Sequence, residues 1–241
     1  MPVFVERQRA VAAATLGFVV LNFGVASGMF LALYDFDLNA FGDPGSLVGR
    51  SDVGDAWRAA SIIDMVSYLA LAPVVVCLHG RFSAVASERA KRSGVVLLLT
   101  FCGLAFVLVG SIGAVLMASV GPPLLEAAIT EQTLARVGFE ALVSAVAVGL
   151  WGILELLLFG VWLIGVAWFV RGEGRLFAAV AAVAAAGMLA YAARTGVTGR
   201  VPLDNPGPLD VVILGAVGVV VVWGIWLAAR LWRIDADASR R

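Results

Sequence analysis

The sequence predicts an all-α polytopic membrane protein, a single transmembrane domain over residues 1–241 built as a bundle of six helices with both termini cytoplasmic. Three observations carry that prediction. Of the 241 residues, 61% are hydrophobic and only 14% charged, whereas roughly a quarter of a soluble domain is charged. Apolar stretches long enough to cross a bilayer, which takes about 20 residues, recur six times along the chain. Basic residues gather in alternate connections between those stretches, as the positive-inside rule requires of a multi-pass protein.

The first span is expected near 11–34, after the leader MPVFVERQRA. Its apolar run of about 25 residues exceeds the roughly 7 to 15 of a signal peptide, so it is expected to stay as an anchor. It carries Asn22 near mid-membrane and Gly24 and Gly28 in the G-x-x-x-G spacing that lets helices approach closely. The following connection, DFDLNAFGDPGSLVGRSDVGDAW, has the Gly, Pro, Asp and Ser content of ordered turns and is compatible with a small cap. A second span near 58–80 holds Ser61, Asp64 and Tyr68 on one helical stripe. His79 ends it beside Arg81, at the expected cytoplasmic interface.

The third span, near 94–118, contains Gly103, Gly110 and Gly113, read as sites of tight packing within the chain. Residues 122–147 open on Pro122 and Pro123 and place Glu126, Glu131, Arg136 and Glu140 off the apolar face. They are expected to form an amphipathic helix on the outer surface, or an extension of the fourth span above it. That fourth span, near 148–170, holds Glu155 four residues after Trp151. The fifth, near 176–194, is almost entirely Ala and ends on Arg194; so weakly hydrophobic a helix belongs in the bundle interior. The sixth, near 209–230, is bulky enough to face lipid. Trp162, Trp168, Trp226 and Trp232 are expected to contribute to an interfacial belt, with Trp232 as its anchor.

Six spans place Arg7, Arg9, Arg81, Arg89, Lys91, Arg92, Arg171, Arg175, Arg230, Arg233, Arg240 and Arg241 on one face, twelve of the 17 basic residues. A seventh span inside 137–170 would move Arg171 and Arg175 to the opposite side, so it is rejected. The other face is mostly acidic, with Asp35, Asp37, Asp43, Asp52 and Asp55 in the first loop, Glu126 and Glu131 in the second, and Asp204 and Asp210 in the third.

Composition also excludes functions. Formal net charge is zero and Lys91 is the only lysine, so no basic surface for nucleic acid is available and a retinal Schiff base inside the bundle is ruled out. Cys77 and Cys102 sit in apolar stretches and read as packing thiols. One histidine, His79, cannot build a multi-histidine metal site, and neither a metal nor any other cofactor is expected. No Ser/His/Asp arrangement, H-E-x-x-H or phosphate-cradling glycine loop is present, so no catalytic residue is assigned and an enzymatic role is not expected.

What remains is polar residues inside apolar helices. A carboxylate in hydrocarbon costs at least a few kcal/mol, so an intramembrane acid calls for a partner or a function. Counting back from Arg171 at about 1.5 Å per residue puts Glu155 about 24 Å from the cytoplasmic end. Asp64, Tyr68, Glu155, Asn22 and Arg194 are therefore compatible with one outward-facing cavity. A register-fixing network is the competing account, pairing Asp64 with Arg194 or Arg58 and Glu155 with Asn22 or a serine hydroxyl.

Two stretches, DAWRAASIIDMVSYLALAPVVVCL from Asp55 and LWGILELLLFGVWLIGVAWFVRGEGR from Leu150, resemble parts of a broad family of small six-helix bacterial membrane proteins of unknown function. The resemblance covers about residues 10–195 and implies six-helix architecture in a bacterial inner membrane; it supplies no activity. The expected role is an assembly partner, or a binder of a lipid or small lipophilic ligand in the outward cavity. Membrane lipids, and a membrane protein or a second copy, are the expected partners. The alternative is a proton-coupled transporter or permeation subunit in which Asp64 or Glu155 titrates.

Overall fold

The structure, a computed structural model, describes residues 2–36, 44–48, 50, 53–87, 93–129, 133–201 and 207–238; its side-chain description covers 10–36, 45–48, 50, 53–84, 94–128, 133–171, 174–201 and 207–230. The expectations for Arg7, Arg9, Asp37, Asp43, Asp52, Arg89, Lys91, Arg92, Glu131, Asp204, Trp232, Arg233, Arg240 and Arg241 fall outside those side chains.

Eight α-helices are described: α1 (Pro2–Leu33), α2 (Val53–Ser87), α3 (Ser93–Ser119), α4 (Gly121–Ile129), α5 (Thr133–Ser144), α6 (Leu156–Phe169), α7 (Arg175–Thr198) and α8 (Pro208–Ala238). A π-helical segment, Ala145–Glu155, joins α5 to α6 without a break. Six of the resulting helical stretches are long and apolar enough to cross a membrane. With every backbone donor and acceptor inside the bilayer needing an internal partner, continuous helix is the form such stretches must take.

The sequence marks several helix ends. Pro2 and Pro208 open α1 and α8, where proline's missing N–H costs nothing. Asp210, in the first turn of α8, accepts the Gly207 N–H at 3.0 Å. α7 stops at Gly199, whose φ of 66° is left-handed and whose N–H returns to the Thr195 carbonyl at 2.8 Å.

The six spans form a closed ring in which α1 packs on α2, α2 on α3, α3 on α6, α6 on α7, α7 on α8 and α8 back on α1. The main core runs through the middle of the ring and toward the end carrying the chain termini, with Leu78, Leu163, Val166 and Phe177 fully buried. A second core closes the remote end. There Leu47 from the first connection, Trp57, Leu125 and Phe139 pack together with Leu33 and Met117.

Residues 121–129 and 133–144 therefore do not lie as one amphipathic surface helix; the alternative expectation, an extension of the fourth span, is what α5 provides. They form two short helices packed on each other, and the second continues directly into the fourth span. Phe139, fully buried, is what ties α5 down. The fifth span behaves as its alanines predict: 44% of the most apolar stretch of α7 is buried, against 22% for α8. Trp162 departs from the expected interfacial belt. It is buried, stacks with Phe159 and lies against Gly103, where a side chain on α3 would run into the indole.

The glycines divide by use. A methyl group at Gly103, Gly110 or Gly113 would run into Trp162, Tyr68 or Trp151, so one face of α3 is a row of aromatic sockets. Gly24 and Gly28 meet nothing within 4 Å. The G-x-x-x-G spacing on α1 is thus unused for packing among the described residues.

Candidate functional site

Near the remote end the polar residues of three helices converge beneath an apolar chamber. Tyr68 projects inward from α2 and is held on three sides by rings and backbone. Phe23 meets it edge-on at 5.0 Å and Phe106 at 5.7 Å, while Gly110 leaves its own backbone open to the phenol ring. That clamp aims the hydroxyl at Glu155, whose two carboxyl oxygens both lie 2.9 Å from it. The bond joins groups 87 residues apart in the chain and so ties α2 to the fourth span.

Glu155 is delivered by the π segment. Widening the helix turn across Ala145–Glu155 sends successive side chains to different neighbours. Trp151 enters the Gly113 socket on α3 and donates weakly to the Gly110 carbonyl at 3.4 Å, and Gly152 lies against Thr195 on α7. Glu155 itself faces α2. Gly110 thus serves both partners, since its missing side chain admits Tyr68 and its carbonyl receives Trp151.

Asp64 is buried, only 7% exposed, and interacts electrostatically with both Tyr68 and Glu155. Among the described residues it has no hydrogen-bond or ion-pair partner. Ser61, on the same stripe, is fully buried but bonds back to the Trp57 carbonyl at 2.9 Å.

The pairings named by the competing register account do not form among the described residues. Arg58 pairs with Asp55 at 3.2 Å on its own helix, and Arg194 pairs with Asp210 at 3.0 Å, joining α7 to α8. Asn22 donates to the Phe18 carbonyl one turn back at 2.8 Å, satisfying its amide within α1. Of the five sequence candidates, Tyr68 and Glu155 are bonded, Asp64 lies within electrostatic range, and Asn22 and Arg194 are engaged elsewhere.

Above Glu155 lies a cavity of about 330 Å³, open on one side. Its wall is almost wholly apolar, drawn from α1, α2, α3, α5, the π segment, α6, α7 and α8, with Glu155, Tyr34 and Tyr191 as its ionisable groups. Trp57 and Trp151 contribute aromatic surface to the same wall. All three tyrosines of the chain therefore gather here: Tyr34 and Tyr191 in the wall, Tyr68 on the acid at its base. Tyr191 also interacts electrostatically with Glu155.

Sequence reasoning missed Tyr34, Trp57 and Tyr191 as cavity residues and Thr195 behind Gly152. Tyr191 had a signal, because it is the one phenol in an alanine helix. Thr195 had none; its fully buried hydroxyl has no partner among the described residues and lies against Gly152 in the cavity wall. Among the described residues no cluster of three or more His, Cys, Asp or Glu is placed to hold a metal ion.

At the other end of the bundle His79 is the centre of a short polar relay. Its Nδ1 lies 2.7 Å from the Thr100 hydroxyl, which donates to the Val96 carbonyl at 2.8 Å, and Ser83 Oγ lies 3.3 Å from Nε2. With the Thr100 proton spent on the backbone, Nδ1–H donates to Thr100, and the Ser83 hydroxyl sits beside Nε2. His79 therefore ties α2 to α3.

The chain matches no protein-family model, no curated protein and no solved structure. What it does must therefore be argued from the cavity and its acid.

Proposed function

We propose that this integral membrane protein holds a lipid or small lipophilic ligand in the cavity above Glu155, with the ligand's polar group at the Tyr68–Glu155 pair. The observation that carries the reading is a chamber of about 330 Å³ with an apolar wall and a buried carboxyl at its base. Small-molecule sites have this character, with apolar lining for affinity and a few fixed polar groups for orientation. The π segment supports it too, since such segments recur where a helix must present a side chain for function.

The remote end faces away from the cytoplasm in this reading, because the basic connections cluster at the other end. Impermeant maleimide applied to intact cells expressing a chain freed of Cys77 and Cys102 tests this. A cysteine at Asp43 should label and one at Lys91 should not; the reverse pattern overturns the orientation.

The ligand reading is tested by native mass spectrometry of protein purified in mild detergent. A retained mass that disappears in Trp151→Ala supports it. Protein that is folded but carries nothing, even after incubation with membrane lipid extract, contradicts it.

Asp64 favours a second reading, proton-coupled transport. A buried acid without a partner beside a bonded acid is an arrangement suited to exchanging a proton. In liposomes, a folded Asp64→Asn protein would then lose substrate-driven proton movement that the unaltered protein shows.

A further inference from the structure

Resting on the reading of the cavity as a ligand site, we propose that its ligand is an organic cation, a protonated or quaternary amine on an apolar body. Two independent features of the site point to that class. One is the wall: Trp57, Trp151, Phe30, Tyr34 and Tyr191 supply five aromatic rings around one small chamber. Aromatic faces attract cations through the ring quadrupole, and cages of several rings are how proteins hold alkylated ammonium groups.

The other is the charge balance beneath the wall. Glu155 and Asp64 are both buried and interact with each other electrostatically. Four arginines at this end are committed elsewhere, Arg50 to Asp35 and the Leu33 carbonyl, Arg58 to Asp55, Arg136 to Glu140 and Arg194 to Asp210, and Arg200 is exposed and makes no ion pair with either acid. Neither buried acid has a cationic partner among the described residues. Tyr68 supplies one hydrogen-bond donor, whereas a carboxylate accepts about four bonds. The site therefore holds two buried carboxyl groups with no cationic counterpart, one of them lining the aromatic chamber, and a ligand bearing positive charge is what would hold either in its ionised form.

Size narrows the class. A volume of about 330 Å³ is at the lower end of small-molecule sites, enough for an ammonium group with an aryl or short alkyl body and too small for both chains of a phospholipid.

The test compares benzyltrimethylammonium with neopentylbenzene, which has the same shape with carbon in place of the charged nitrogen. Equilibrium dialysis against protein-loaded nanodiscs, with empty nanodiscs subtracting bilayer partition, gives both affinities. The expected result is binding of the cation at least about tenfold tighter than the neutral isostere. In Glu155→Gln the ratio of the two affinities should fall toward one. Equal or tighter binding of the neutral compound to the unaltered protein overturns the cation proposal and leaves the cavity reading standing. Binding of neither compound overturns both. Because the decisive comparison uses unaltered protein, a Glu155→Gln chain that fails to fold does not protect the proposal.

Discussion

Gly110→Ala should undo the site without touching any polar group. The added methyl would lie 2.5 Å from Cζ of Tyr68 and nearer still to Cδ1 and Cε1, where carbon atoms ordinarily sit at 3.4 Å or beyond. The ring must therefore retreat by about 1 Å, and Phe23 and Phe106 limit its escape. A retreat of that size stretches the 2.9 Å bonds to Glu155 past hydrogen-bonding distance. Overpacking costs about 1–3 kcal/mol. Losing a bond to a carboxylate adds about 1–2 kcal/mol, taken above the roughly 0.6 kcal/mol average for membrane hydrogen bonds because the acceptor is ionisable. Better helix propensity returns up to about 1 kcal/mol. The net expectation is a destabilisation of about 2–4 kcal/mol, measured by reversible unfolding from mixed micelles. Tyr68→Phe, which keeps the ring and loses the bond, should cost about 1–2 kcal/mol. In a Tyr68→Ala background the Gly110→Ala increment should fall below about 1 kcal/mol, because the obstructing ring is gone. A Gly110→Ala change under about 0.5 kcal/mol, or an increment unaltered by Tyr68→Ala, would mean that Gly110 does not make room for the Tyr68 ring.

Other glycines and ion pairs give sharper contrasts. Gly113→Ala displaces Trp151 from its socket and should cost about 1–3 kcal/mol together with ligand affinity, whereas Gly24→Ala and Gly28→Ala meet open space and should be neutral or stabilising by up to about 1 kcal/mol in the same unfolding assay. Arg194→Met strands the buried Asp210 carboxylate and should cost about 1–2 kcal/mol; adding Asp210→Asn should recover part of that loss, and no recovery would mean the pair is not coupled. Thr100→Val removes the acceptor of the His79 Nδ1–H and should lower thermal stability by about 1 kcal/mol, with a shift of the imidazole nitrogen resonances reporting the changed hydrogen bond.

Hydropathy carried the architecture, because a bilayer leaves a long apolar stretch no form but continuous helix, and the six spans follow from that alone. The inward stripe of Ser61, Asp64 and Tyr68 was legible for the same reason, since helical spacing decides which side chains share a face. The partners were not. Which residue meets Glu155 depends on the π segment, and AVAVGLWGILE shows only two glycines as a local cue for an altered turn. Arg194 and Asn22 looked available because their depth was right, but depth does not reveal an Asp210 on the neighbouring helix or a carbonyl one turn back. The sockets on α3 are similar. Gly103, Gly110 and Gly113 announce close approach, while the three aromatic rings that fill them come from other helices. The glycines of α1 carry the same spacing signal and pack against nothing in the described chain. Small-residue spacing therefore reports permission for contact, and only the fold decides whether it is taken up.

The account turns on Glu155 being the base of an occupied chamber rather than a packing residue with a tyrosine partner. A density map of the protein in nanodiscs made from native lipid is the direct measurement. Non-protein density bounded by Trp57, Trp151 and Tyr191 and ending within hydrogen-bonding distance of Glu155 is the expected result. A chamber closed by its own side chains, with Trp151 or Tyr34 rotated into the space, would contradict it.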